Sequence, residues 1–183
     1  MPNRNVLYDE YEVSGATIDL AEKIHEDYGE EPFIMLCVLK GGIYITTSLL
    51  QLLPGNIRLE FISASNKASN YLEYQYQIEY QFAAVAGQTL YRIVKDKHVL
   101  IVDDIYDTGK TIKTITNLLQ QCDAQSIKSC VLLDKPFKRP TDTKGPDYVG
   151  IKMTEDHWVY GCGLDNDQYE RNLPFVCSKE RSQ

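Results

Sequence analysis

The chain has 183 residues, 43% of them apolar and 25% charged, which excludes a disordered chain and fits one globular domain. Nineteen Lys and Arg stand against 26 Asp and Glu, a net charge of −7, which argues against a protein that coats nucleic acid or an anionic membrane. A small basic pocket for a phosphorylated metabolite stays compatible with that balance.

The opening residues MPNRNVLYDEYEV lack a signal-like apolar stretch, and no run nears ~18 apolar residues. A cytoplasmic chain without membrane contact is expected. Ser14 to Tyr28 reads as an amphipathic helix, capped by Ser14 or Thr17 and stopped at Gly29, with Ile18, Ala21, Ile24 and Tyr28 on one face. Phe33–Leu39 is an unbroken apolar run, the signature of a strand buried on both faces. Gly41-Gly42 breaks it, and a helix over Ile43–Leu53 ends at Pro54-Gly55. A strand over Ile57–Ser63 follows. From Tyr74 to Phe82 aromatic or aliphatic residues alternate with polar ones, the period of an edge or hairpin strand with one wet face. No Lys or Arg interleaves there, so a base-stacking surface is disfavoured.

His98–Asp103 is a second fully apolar strand. A helix with Ile112, Ile115, Leu118, Leu119 and Cys122 on one face comes next, then a strand over Ile127–Leu133. Shorter strands are expected at Tyr148–Ile151, Trp158–Gly161 and Leu173–Cys177. The order predicts an α/β fold with a mostly parallel central sheet flanked by helices, in one domain spanning 1–183. The five cysteines form no CxxC pair and read as reduced, partly core residues, with no zinc pattern. His25, His98 and His157 do not cluster and read as structural or surface residues.

The chemistry-bearing stretch is Val99-Leu-Ile-Val-Asp103-Asp104-Ile-Tyr-Asp107-Thr108-Gly109-Lys110-Thr111. An apolar strand runs into paired carboxylates, and an acid-Thr-Gly-Lys-Thr turn then opens a helix. Such a turn aims free backbone N–H groups and the positive helix end outward, an anion site to which the Thr108 and Thr111 hydroxyls add donors. It is not a Walker A loop, because the early glycine of that motif is missing. Acceptor-only carboxylates suit a ribose diol, and equally the neighbourhood of a hard cation.

This stretch resembles the phosphoribosyl pyrophosphate (PRPP) signature of type I phosphoribosyltransferases, and the chain is most similar among them to the hypoxanthine-guanine enzymes of purine salvage. Val38-Leu39-Lys40-Gly41-Gly42 resembles the pyrophosphate loop, and Leu132-Leu133-Asp134-Lys135 the strand end that carries a purine-selecting lysine. Trp158 to Asp165, with Tyr169 and Arg171-Asn172-Leu173-Pro174, resembles the hood, formed here by about 145–183 with the N-terminus.

The resemblance implies transfer of a phosphoribosyl group from PRPP to a 6-oxopurine, with Mg²⁺ as cofactor. It places PRPP on Leu39, Lys40, Gly41, Asp103, Asp104, Asp107, Thr108, Gly109, Lys110, Thr111 and Arg171. Asp107 is the implied catalytic residue beside the purine. Lys135, Trp158, Val159 and Asp165 are the implied purine residues, and Asp165, Asp103 and Asp104 the implied metal ligands. Leu39-Lys40 is implied to be a cis peptide. No nucleic acid or membrane is implied as partner, and a homodimer or homotetramer is. The alternatives are another acceptor base, such as xanthine or a non-purine, or a non-catalytic regulator on the same fold, some of which bind RNA.

The chain departs from the pattern after Ile62. The salvage enzymes carry a mobile loop with a Ser-Tyr pair there, whereas Ser63 to Tyr71 contains no such dipeptide. Ser63 to Tyr74 is nonetheless expected to be a lid that is mobile or poorly ordered without ligand and becomes protected when PRPP and a purine bind, with Tyr71 covering the site.

Overall fold

The computed structural model describes residues 4–69, 73–79, 90–141 and 143–179, the side chains of 64–69 and 73–79 excepted. Strand β1 (Asn5–Tyr8) precedes helix α1 (Glu10–Tyr28), β2 (Phe33–Leu39), α2 (Ile43–Leu52), β3 (Ile57–Ser69) and β4 (Glu73–Glu79). Then come α3 (Leu90–Val94), β5 (His98–Tyr106), α4 (Lys110–Gln121), β6 (Ser126–Asp134), a 3-10 turn (Pro136–Lys138), β7 (Tyr148–Lys152), β8 (Trp158–Tyr160) and β9 (Val176–Lys179).

The main sheet has six strands in the order β4-β3-β2-β5-β6-β7, all parallel except the antiparallel β3–β4 pair. Its apolar runs are continuous because alternate residues feed two cores. Met35, Leu100, Val102, Cys130 and Leu132 pack with α1 and α2 residues such as Leu20, Ile24, Ile45 and Leu49. Ile34, Leu36, Val99, Ile101 and Val131 pack with Leu90, Ile93, Ile112, Ile115 and Leu119. A second sheet, β1-β9-β8, is antiparallel and joins the two ends of the described chain.

The structure corrects several sequence expectations. Helix α1 starts at Glu10, capped by Asp9, not by Ser14 or Thr17. Asp9 Oδ1 accepts the Glu12 N–H at 2.9 Å while Glu12 Oε2 accepts the Asp9 N–H at 2.9 Å, a reciprocal capping box. Ile18 is largely exposed, and Val13, Thr17 and Leu20 complete the inward face instead. Strand β3 runs past the expected Ser63 to Ser69, through the first part of the expected lid, and β4 returns against it with Ala68 opposite Tyr74. The hairpin strand read from the Tyr74–Phe82 alternation is present over Glu73–Glu79. Tyr71 and residues 80–82 lie outside the described residues.

The chain leaves β2 toward β3 and β4, and leaves β5 toward β6 and β7, on the other side of the sheet order. The order therefore reverses between β2 and β5. In open α/β sheets ligands bind outside the carboxyl ends of strands at such a switch point. Leu39-Lys40 and Asp103-Asp104 emerge there.

Candidate functional site

At the end of β2 the Leu39–Lys40 peptide is cis, as the resemblance implied. Gly41 follows directly against Asp104: a Cβ on Gly41 would stand 1.7 Å from Asp104 Oδ2. Gly42 is equally constrained, because a Cβ there would lie 2.6 Å from the Val102 carbonyl oxygen and 2.7 Å from that of Val38. Two glycines thus let the β2 loop lie on the end of β5 at backbone distance.

Asp103 and Asp104 end the apolar part of β5. Asp103 is buried, and its Oδ1 accepts the Asp104 N–H at 2.9 Å. Burial raises the Asp103 carboxyl well above the ordinary carboxylate range, and the Asp104 charge adds to the effect. Burial raises Asp104 too, against the opposing pull of its contact with Asp103 and of the Arg171 charge. The pair is therefore poised for something that compensates negative charge or donates hydrogen bonds.

Helix α4 then opens from Gly109, whose φ of +78° is the left-handed turn that favours glycine. No side chain caps the helix, and the first helical bond runs from the Lys113 N–H to the Gly109 carbonyl at 3.0 Å. The residues that carry the preceding N–H groups, Lys110 to Ile112, line an open cavity of about 580 Å³ together with Val38–Gly41 and Asp103–Gly109. Leu39, Lys40, Gly41, Asp103, Asp104, Asp107, Thr108, Gly109, Lys110 and Thr111 are all on its wall.

A second cavity, about 310 Å³, adjoins the first and shares Asp104, Ile105 and Asp107 with it. Lys135, Trp158, Val159 and Asp165 line it together. Trp158 is 60% exposed on the rim, while Val159 is buried. Lys135 is buried, and its Nζ donates to the His157 carbonyl at 2.5 Å and lies 3.6 Å from Asp156 Oδ1. Arg171 lines neither cavity. Its Nη1 donates to the Gly163 carbonyl at 2.7 Å, and its Nη2 pairs with Asp165 Oδ1 at 2.8 Å.

The sequence reading missed Lys138, Asp156 and His157, which also line the second cavity. Asp156 bridges Lys138, at 2.5 Å, and Lys135. His157, read as structural or surface, contributes its backbone carbonyl. Nothing in the spacing around Asp156 signals this, because the pairing spans a loop between β7 and β8. Among the described residues no group of three or more His, Cys, Asp or Glu is arranged to hold a metal, so Asp103, Asp104 and Asp165 do not form one cage.

A family model described as the phosphoribosyl transferase domain matches residues 6–167. A hypoxanthine-guanine phosphoribosyltransferase of Staphylococcus epidermidis is 32% identical over 173 residues, 94% of this chain and 92% of the relative. One from Staphylococcus aureus is 31% identical over the same shares. Among solved structures, a hypoxanthine-guanine phosphoribosyltransferase of Bacillus anthracis superposes with a TM-score of 0.81 at 26% identity, over 97% of this chain and 99% of that one. A hypoxanthine phosphoribosyltransferase of Staphylococcus aureus gives 0.81 at 29% identity, over 97% and 93%.

Proposed function

The chain belongs to the phosphoribosyl transferase family, and we propose that its reaction joins hypoxanthine or guanine to the ribose of PRPP, releasing pyrophosphate. The observation that carries this reading is the meeting of the two cavities at Asp104, Ile105 and Asp107. One is built for a phosphorylated sugar and the other for a flat carbonyl-bearing base, so the bond to be made lies where they join.

The N–H groups that open α4, with the Thr108 and Thr111 hydroxyls, hold the 5′-phosphate. Asp103 and Asp104 accept from the ribose hydroxyls. The Lys40–Gly41 loop faces the pyrophosphate, with the Arg171 charge close enough to act on Asp104. Lys135 donates to the purine 6-oxo group; adenine offers an amino donor there, so one N–H of the buried ammonium would face another donor instead of an acceptor. Trp158 covers the ring, and Val159 and Asp165 border its exocyclic edge. A purine nitrogen then forms the bond to the anomeric carbon as the carbon–oxygen bond to pyrophosphate breaks, with inversion, through an oxocarbenium-like state. Asp107, on the wall of both cavities, takes or steadies the proton that the purine gives up.

Mg²⁺ fits this donor set as an ion bound by one or two carboxylates plus substrate oxygens. Asp103 and Asp104 are the carboxylates that would hold it, whereas Asp165 is already engaged by Arg171. When bound, it would neutralise charge on the departing pyrophosphate. A cytoplasmic homodimer or homotetramer completes the proposal. The five free cysteines agree with a reducing compartment, and no helix of the described residues is long and apolar enough to cross a membrane. Light scattering on the purified protein measures the assembly.

The test is a panel of bases with PRPP and Mg²⁺, read by chromatography of the nucleotides. Hypoxanthine and guanine are expected to be converted and adenine to be refused. Turnover of adenine, or of xanthine alone, would refute the assignment of the base. Silence with every base would return the regulator on the same fold as the better reading.

A further inference from the structure

We propose that Arg139 is a positioning residue for the turn Asp107–Lys110, a role that rests on reading this turn as the 5′-phosphate site. Arg139 follows the 3-10 turn after Lys135. Its guanidinium grips Asp134 with both arms, Nη1 to Oδ1 at 2.6 Å and Nη2 to Oδ2 at 3.0 Å. Both side chains are buried, at 7% and 5% exposure. The same guanidinium lies 4.7 Å from the centroid of the Tyr106 ring.

Tyr106 is in turn packed against the phosphate turn. A Cβ added to Gly109 would stand 2.5 Å from the Tyr106 hydroxyl oxygen and 2.6 Å from Cζ. The Tyr106 hydroxyl donates to the Lys144 carbonyl at 3.1 Å, and the Tyr106 carbonyl accepts the Lys135 N–H at 2.9 Å. A chain of contacts, Asp134 to Arg139 to Tyr106 to Gly109, therefore links the strand end carrying the purine lysine to the turn carrying the phosphate. Neither Asp134 nor Arg139 is on the wall of either substrate cavity, so both act through Tyr106.

The choice of residues fits this role better than a stabilising one. A buried ion pair adds little to stability compared with apolar residues of the same volume. What it supplies here is a planar cation held in one orientation, and only arginine provides a flat group that is bidentate on a carboxylate and stacked on a ring. The turn has no side-chain cap of its own, and its central residue is a glycine. Its N–H groups keep their aim only if something braces Gly109, and Tyr106 under Arg139 is that brace.

The experiment measures binding of three probes by calorimetry: ribose 5-phosphate, PRPP with Mg²⁺, and pyrophosphate with Mg²⁺. Arg139→Lys keeps a cation for Asp134 but loses the flat stack. It is expected to bind ribose 5-phosphate and PRPP about tenfold more weakly, the scale of one desolvated cation–ring contact, and pyrophosphate within about twofold of the parent. Tyr106→Leu should show the same selective loss, and adding Arg139→Lys to it should remove little more. Parent-like ribose 5-phosphate binding by Arg139→Lys would overturn the role, and so would an equal loss for all three probes, which marks a merely structural residue. Failure of the unaltered protein to bind ribose 5-phosphate or PRPP would instead overturn the reading of the turn.

Discussion

Two glycines touch the same small region and separate catalytic geometry from stability. Gly41 has no left-handed backbone requirement, and a Cβ there meets the Asp104 carboxylate, at 1.7 Å from Oδ2. That oxygen is the end of a side chain that can rotate, so Gly41→Ala should cost only about 1 kcal/mol, or about 3 °C in Tm for a chain of this length. The rotation carries Asp104 off its proposed place beside the diol. A displacement of that size at a reacting site can cost about a hundredfold in rate, so kcat/KM should fall by roughly that factor.

Gly163 is the contrasting case. Its φ is +98°, and a Cβ would stand 2.1 Å from the Gly41 carbonyl oxygen, which is backbone. Strained dihedrals at about 1–3 kcal/mol and an overlap of about 1–3 kcal/mol together give about 4 kcal/mol, or about 10 °C in Tm, for Gly163→Ala. Thermal unfolding by circular dichroism, beside steady-state kinetics with guanine and PRPP, reads both effects. If Gly41→Ala keeps its parent kcat/KM, or if Gly163→Ala melts with the parent, the close contact of the hood loop, the β2 loop and Asp104 is not what organises this site.

Three other outcomes follow from the same geometry. Lys135→Met replaces a buried donor with an isosteric apolar chain, and one charge-assisted hydrogen bond of ~1.5–3 kcal/mol predicts a KM for guanine raised roughly ten- to a hundredfold, with the KM for PRPP unchanged. Activity should vanish in EDTA and return with Mg²⁺ or Mn²⁺; full turnover in chelator would sink the proposed handling of pyrophosphate. An acid whose folded pKa is raised, as for Asp103, stabilises the fold most below its unfolded value of ~3.9, and that contribution is lost as pH rises through the folded value. Asp103→Asn keeps an oxygen for the Asp104 N–H and never ionises, so ligand-free protein in EDTA should gain about 3–6 °C in Tm at pH 8 and nothing at pH 4, while losing activity. A gain of equal size at both pH values would show that charge burial is not its cause.

The elements legible from sequence were those whose neighbours in space dictate a one-dimensional pattern. β2 was read to the residue because a strand covered on both faces has no polar position to blur its ends, and Gly41-Gly42 stops it. β5 and β6 were recognisable for the same reason, and α2 because Gly41-Gly42 precedes it and Pro54-Gly55 closes it. β1 was not, because its four residues acquire strand character only by pairing with β9 across the length of the chain. The start of α1 was misplaced because its cap is the Asp9–Glu12 exchange within an acidic stretch that carries no apolar period. The apolar strand that runs into Asp103-Asp104 and the turn that follows were legible because strand, acids and glycine turn are contiguous, although β5 continues past the expected Asp103 to Tyr106. Asp156 and Arg139 were not, since each matters through a contact made only after the loops fold over the sheet ends.

The position of the acids explains why the fold tolerates them. β5 is hydrogen-bonded on both sides, to β2 and to β6, and Asp103 still sits in register with Val131. The ladder fixes the Asp103 backbone, so the carboxylate cannot swing out to water as one on a loop would, and its burial is imposed by the sheet. Placed at an edge strand, the same residues would relax and lose their aim. The central strand converts the burial penalty into orientation, and whatever donates hydrogen bonds or positive charge to the pair recovers part of that penalty on binding. Ligand affinity and ligand-free instability here therefore have one source: a buried acid pair to which a ligand brings hydrogen bonds or positive charge beyond what the Asp104 N–H and the Arg171 charge supply.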